Sequence, residues 1–137
     1  MAIVETRSLT KRYNTFTALK DLNLQIEVGD VFGFIGPNGA GKTTTIRILS
    51  TLLAPTAGSA HIDGIDVTKQ PYEIKKILGY MPDSFGVSDG MRLREYLDFF
   101  GAAYKIPAKK RKTIIDDVLA LTDLNSKADD FVSAFSR

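Results

Sequence analysis

An α/β fold is predicted by three features in the first half of the 137-residue sequence. Val31-Phe32-Gly33-Phe34-Ile35 is a continuous apolar run, the pattern of a strand buried on both faces in a parallel sheet. Gly36-Pro37-Asn38-Gly39-Ala40-Gly41-Lys42-Thr43-Thr44 is a glycine-rich loop directly after it. Ile46, Leu49 and Leu53 then recur at helical spacing, and Ile48 and Leu52 widen the stripe. Strand, loop and helix therefore follow in that order.

The loop fits the pattern G-x-x-x-x-G-K-[ST] in the strand-to-helix context that a phosphate-binding loop requires. Its glycines let successive backbone N–H groups approach phosphate oxygens, and the helix starting near Lys42 adds its positive end. Lys42 supplies a mobile positive charge for β- and γ-phosphates, and the Thr43 hydroxyl suits Mg²⁺. The expectation is a P-loop NTPase core that binds a nucleoside triphosphate.

The remaining elements follow in chain order. Residues 3–12 read as a strand and Tyr13-Asn14 as a turn. Leu22, Leu24, Ile26 and Val28 alternate with Asn23, Gln25 and Glu27, as in a half-exposed antiparallel strand, and Gly29-Asp30 turns the chain into the apolar run. The first helix is expected to stop at Ala54-Pro55, since proline disfavours helical geometry in the residue before it. Gly58 to Val67 reads as a hairpin turning at Asp63-Gly64. His61, the one histidine, reads as an ordinary strand residue there.

A short helix is expected over Tyr72 to Ile77 and a brief strand over Leu78-Gly79-Tyr80-Met81, closed by Pro82-Asp83. After a loop from Ser84 to Gly90, Leu93, Tyr96, Leu97, Phe100 and Tyr104 share one face of an amphipathic helix, an aromatic stripe expected to be core. Lys105-Ile106-Pro107 breaks that helix, and another runs from Ala108 to Leu121 with Ile114, Ile115, Val118 and Leu119 apolar. Its start, Lys109-Lys110-Arg111-Lys112, reads as a solvated face, with contact to acidic lipid headgroups as the functional alternative. The aspartates 116, 117, 123, 129 and 130 are interspersed with apolar and cationic residues and read as surface rather than as a metal site.

Composition bounds the rest. A formal charge of +2 is too small to argue for nucleic acid as a partner. Without cysteine there is no disulfide frame or thiolate metal site. The first residues carry charges where a signal peptide would be apolar, and no run approaches the length of a bilayer span.

Taken together, Lys11-Arg12-Tyr13, the stretch from Phe34 through Thr44 to Pro55-Thr56-Ala57-Gly58, the Asp63-Gly64 hairpin and Ile77-Leu78-Gly79-Tyr80-Met81-Pro82 resemble the ATP-binding subunit of an ABC transporter. The resemblance runs in order through essentially all of the chain. It implies a single nucleotide-binding domain, with the phosphate-loop core and an antiparallel β-subdomain over 1–83 and the start of a helical subdomain over 84–137. It implies ATP and Mg²⁺ as cofactors, with Tyr13 stacking on adenine; an exposed turn tyrosine without a function is the structural alternative. It also implies a cytoplasmic subunit at the inner face of the membrane, partnered by a transmembrane permease chain and a second nucleotide-binding domain, in a system more like exporters than importers.

Two departures accompany the resemblance. Asp83 stands where the family usually has a glutamine that contacts Mg²⁺ or its water; a loop-capping Asp is the alternative reading. Phe135-Ser136-Arg137 resembles the opening of the family's signature segment, with Ser136 at the serine that a partner presents to the γ-phosphate. The segments expected after it would carry the Mg²⁺-binding Asp, the general-base Glu and a switch His. The expectation is therefore an incomplete ABC-type ATPase domain that binds ATP without hydrolysing it alone, its apolar run deprived of sheet neighbours.

Two other functions are compatible with the phosphate loop. A soluble ABC protein with a regulatory rather than a transport role is one. A kinase or GTPase is the other, disfavoured because no Asn-Lys-x-Asp guanine-reading segment is present.

Overall fold

The computed structural model of the protein describes residues 2–82 and 90–135, so Asp83 and Ser136, together with the Ser84 to Gly90 loop up to Asp89, lie outside the described residues. The chain forms two compact units, Met1–Met81 and Pro82–Arg137.

In the first unit β1 (Ala2–Tyr13) and β2 (Phe16–Glu27) pair antiparallel across a tight turn at Asn14-Thr15. Asn14 adopts φ 47°, which its short polar side chain tolerates. β3 (Ala57–Ile62) pairs with β1, and β4 (Ile65–Asp66) with β3, giving the sheet order β2-β1-β3-β4. The β3–β4 turn places Asp63 at φ 49° and Gly64 at φ 73°, the double left-handed geometry that Asp-Gly favours between twisted strands. Leu22, Leu24 and Ile26 are half-buried between exposed Asn23 and Gln25, as the alternation predicts. The strand begins earlier than expected, at Phe16, and Val28 lies beyond its end and is exposed.

One face of this sheet carries the core. Leu9, Leu19, Ala60 and Ile62 from the strands meet Ile48 of α1 (Lys42–Leu49), Val67, and Ile74 of α2 (Pro71–Ile77). Asp66 organises the approach to α2. Its Oδ1 accepts from the Thr68 hydroxyl at 2.6 Å, Thr68 N at 2.9 Å and Lys69 N at 3.2 Å, and Lys69 Nζ lies 3.1 Å from Oδ2. The Thr68 hydroxyl above all, helped by these amides, holds the carboxyl well below its ordinary value of 3.8, against the opposing effect of burial. A depressed native pKa stabilises the fold fully above about pH 4, and that contribution is lost as pH falls toward the native value. Urea unfolding at neutral pH and near pH 3 should show the sign: Asp66→Asn is expected to cost about 1–2 kcal/mol at neutral pH and a smaller part of that near pH 3, where the loss of the contribution has only begun. An equal loss at both pH values would assign the effect to shape rather than charge.

Three expectations are corrected. α1 ends at Leu49 rather than at Ala54, because Thr51 turns left-handed at φ 63°. The amide of Leu52 reaches Arg47 O at 2.9 Å and that of Thr51 reaches Ile48 O at 3.0 Å, the paired bonds of a Schellman ending. This stop precedes the proline signal and uses a threonine where glycine is the usual marker.

The apolar run from Val31 to Ile35 forms no strand, and Val31 and Ile35 are fully exposed. A parallel strand needs neighbours for its N–H and C=O groups, and among the described residues every strand belongs to the antiparallel sheet. Phe32 and Phe34 instead pack edge to face on each other at 5.2 Å. Leu78 to Met81 forms no strand either, for the same lack of a partner.

The second unit holds α3 (Leu93–Ala103) and α4 (Ala108–Leu121). Leu93, Ile115, Leu119 and Ala128 form its core, with Leu97, Leu124 and Val132 packed against them. The amides of Leu93 and Arg94 donate to Asp130 O and Ala128 O at 3.0 Å, and Glu95 accepts from Arg92 N at 2.9 Å, so the start of α3 is fully capped. The aromatic stripe is core only at its beginning: Phe100 and Tyr104 are exposed, because α4 packs through Arg111 against Asp98 and Gly101, a different face of α3. The predicted span of α4 agrees at both ends, and its basic start is solvated apart from half-buried Arg111. Among the described residues no helix is long and apolar enough to cross a membrane, and no acidic or histidine cluster could hold a metal ion.

Candidate functional site

The candidate site forms where the glycine-rich loop meets β2. Gly41 precedes α1 at φ 87°, and an added Cβ there would sit 2.8 Å from Ala18 O and 3.0 Å from Leu19 Cδ1. Only glycine lets the loop lie this close to β2. Thr45 secures the junction from inside: its amide and hydroxyl donate to Gly41 O at 2.8 and 2.9 Å. Within the loop, Ala40 N donates to Pro37 O at 3.2 Å.

A cavity of about 170 Å³ opens here, lined by Phe16, Ala18, Asn38, Gly39, Gly41, Lys42, Thr43 and Thr44. No acidic side chain lines it. The first turn of α1 has neither an acidic residue nor a side-chain cap, so its leading amides have no intrahelical acceptor. Unpaired amides, the positive helix end and a lysine together make an anion site. Whole-ligand pockets are usually about 300 Å³ or more, so the cavity matches a phosphate group rather than an entire nucleotide.

Lys42 Nζ donates to Gly36 O at 2.5 Å and Pro37 O at 2.6 Å, held over the loop by neutral carbonyls. Thr43 is exposed and its hydroxyl has no partner among the described residues, leaving an oxygen free for a hard cation. The structure thus brings together Asn38, Gly39, Gly41, Lys42, Thr43 and Thr44 in one lining, with Gly36, Pro37 and Ala40 tied into the same loop.

Tyr13 stands outside that lining. It is 47% exposed, with Lys11 Nζ 5.1 Å from its ring centre, and is paired across the turn with Phe16. Opposed residues of an antiparallel pair share a sheet face, so Tyr13 stands beside an aromatic ring that does line the cavity. Phe16 and Ala18 escaped the sequence reading. Two aromatic residues flanking the dipeptide Asn14-Thr15 were the available signal for a tight hairpin and for this pairing. His61 lies on β3 opposite Glu5 and Asp66, away from the loop.

The sequence profile described as ABC transporter matches residues 19–137. The chain is 37% identical over 134 residues to the bacitracin transport ATP-binding protein BcrA of Bacillus licheniformis, covering 98% of this chain and 43% of that protein. It is 34% identical over 133 residues to the daunorubicin resistance ATP-binding protein DrrA2 of Streptomyces coeruleorubidus, covering 97% and 41%. It thus spans less than half the length of these relatives. Among solved structures, the dimeric post-hydrolysis state of the ATP-binding cassette MJ0796 bound to ADP and Pi superposes with a TM-score of 0.80 at 25% identity, over 97% of this chain and 63% of that one. A matching profile over most of the chain, relatives above 30% identity and a shared fold lead to one assignment: the chain belongs to the ABC transporter family, among relatives that are named ATP-binding proteins.

Proposed function

We propose that this chain is the MgATP-binding portion of the energy-coupling subunit of an export-type ABC transporter. The cradle of amides and Lys42 at the start of α1 is the observation that carries this reading. The loop from Gly36 to Thr44 takes the phosphates, and Thr43 and Asp83 serve Mg²⁺, which otherwise keeps phosphate oxygens and water as ligands. The adenine lies against the Tyr13 ring, whose cross-strand partner Phe16 lines the cavity. Relatives named for multidrug transport, daunorubicin resistance and bacitracin transport support the export direction. The unit Met1–Met81 then acts as phosphate-loop core plus β-subdomain, and Pro82–Arg137 as the helical subdomain.

Such a subunit works at the inner face of the membrane beside a permease chain, paired with a second nucleotide-binding domain to which Ser136 is presented. In this chain alone, binding proceeds without turnover. Phosphoryl transfer to water needs an oriented base, and the described cavity lining holds amides, hydroxyls and an ammonium but no carboxylate. The test is ATP titration by calorimetry with and without Mg²⁺, followed by phosphate release on the same sample. Binding that strengthens with Mg²⁺, prefers ATP to adenosine and releases no phosphate is the expected result. Adenosine binding as tightly as ATP, or GTP displacing ATP, would overturn the assignment.

A further inference from the structure

Charge is segregated at the corner where α3 passes into α4. Residues 99–115 contain five cations, Lys105, Lys109, Lys110, Arg111 and Lys112, and no acidic residue, in a chain whose net charge is only +2. Arg111 is used internally: its Nε lies 2.7 Å from Asp98 Oδ1 and its Nη1 donates to Ile106 O at 3.0 Å. Lys112 borders a groove that also contains Glu95 and Asp98. Lys105, Lys109 and Lys110 are exposed and make no ion pair among the described residues.

Elsewhere in the same unit two further ion pairs form away from this corner. Arg94 lies 2.7 Å from Asp116 and Lys127 lies 3.2 Å from Asp130. At the corner itself Asp98 is engaged by Arg111, and Lys105, Lys109 and Lys110 have no counter-ion among the described residues. Pro107 at the head of α4 offers no side-chain cap, and the first turn has no acid, so the helix end adds to the positive potential. Tyr104, 74% exposed, and Phe99, 58% exposed, flank the lysines. Lysines around exposed aromatic rings are the composition suited to a lipid–water interface, where ammonium groups meet headgroup phosphates and rings sit at headgroup depth.

We infer that the α3–α4 corner, through Lys105, Lys109, Lys110 and Tyr104, docks onto anionic phospholipid headgroups. This goes beyond the nucleotide site and rests on the proposed reading that the chain works beside a membrane. A single strand of RNA is the competing anionic partner. The three lysines occupy one corner rather than a groove long enough to track a strand, and the rings have no basic channel around them.

The experiment is flotation of the purified chain with vesicles of phosphatidylcholine alone or of equal parts phosphatidylcholine and phosphatidylglycerol. Binding confined to the anionic vesicles and lost in high salt is expected, because exposed charge is screened. The triple variant Lys105→Gln, Lys109→Gln, Lys110→Gln should bind on the order of a hundredfold more weakly. A matched triple, Lys69→Gln, Lys75→Gln, Lys76→Gln, should bind like the parent, and far-UV circular dichroism confirms that both variants fold. Equal binding to neutral vesicles would overturn the inference and point to the exposed run from Val31 to Ile35. Equal loss in both triples, or displacement from vesicles by polyuridylate at lower phosphate concentration, would also overturn it. ATP titration of the same variants keeps the two readings apart, since neither triple touches the phosphate loop.

Discussion

Gly58→Ala is expected to lower the stability of the first unit by about 3 kcal/mol. Gly58 stands at φ 80° on β3, where a Cβ would lie 2.3 Å from Ser8 O and 2.5 Å from Arg7 O. Neither oxygen can retreat. Ser8 is itself left-handed at φ 47°, in the irregular stretch of β1 between Thr6 and Leu9, and its amide is held by Asn23 Oδ1 at 2.9 Å. Arg7 is paired with Ser59 and Thr10 with Ala57, so moving β1 away would open the β1–β3 ladder on both sides of the clash. Against a usual total of about 5–15 kcal/mol, such a loss removes roughly a fifth to three-fifths of the stability. Gly64→Ala is the control: Gly64 is also left-handed, at φ 73°, but a Cβ there meets nothing within 4 Å. It should cost about 1 kcal/mol, the backbone preference alone. Urea unfolding followed by far-UV circular dichroism gives both numbers, and equal losses would mean that the approach of Gly58 to Ser8 is not what holds the sheet.

The elements legible in the sequence are those whose signals are local. Alternation over Leu22 to Ile26, the Asp63-Gly64 turn, the span of α4 and the start of α1 at Lys42 all depend on residues a few positions apart. The candidate phosphate site was legible for the same reason, since one continuous loop supplies nearly all of its lining. What was misread depends on distant partners. Val31 to Ile35 has the composition of a buried strand, and composition does not supply the neighbours that a strand requires. Phe100 and Tyr104 fit an amphipathic stripe, but whether a stripe is covered is decided by what packs over it. Thr51 ended α1 early because the competing hydrogen bonds to Arg47 O and Ile48 O outweigh the low preference of a β-branched residue for left-handed geometry. Phe16 entered the site through cross-strand pairing with Tyr13, a relation between two strands rather than within one.

Lys42→Ala is expected to weaken ATP binding on the order of a hundredfold or more while leaving the circular dichroism spectrum unchanged. The ammonium has two sets of possible partners. Without nucleotide it donates to Gly36 O and Pro37 O at 2.5 and 2.6 Å, both neutral acceptors. Phosphate oxygens carry full charge, and a charge-assisted bond is worth about twice a neutral one, so the ligand wins the exchange. Alanine loses those bonds, each worth about 1.5–3 kcal/mol, and leaves only the amides of the loop and the α1 terminus to hold the phosphates. The fold does not depend on the ammonium, because the loop's attachment comes from Thr45 and from Gly41 against Ala18. Lys42→Arg separates charge from position. A guanidinium keeps the charge, but its planar fork cannot be seated between two carbonyls that converge on a single ammonium. Arginine should therefore rescue only a small part of the affinity. Full rescue by arginine would show that the cavity needs only a nearby positive charge, and the short bonds from Lys42 Nζ would then have no part in presenting the loop to phosphate.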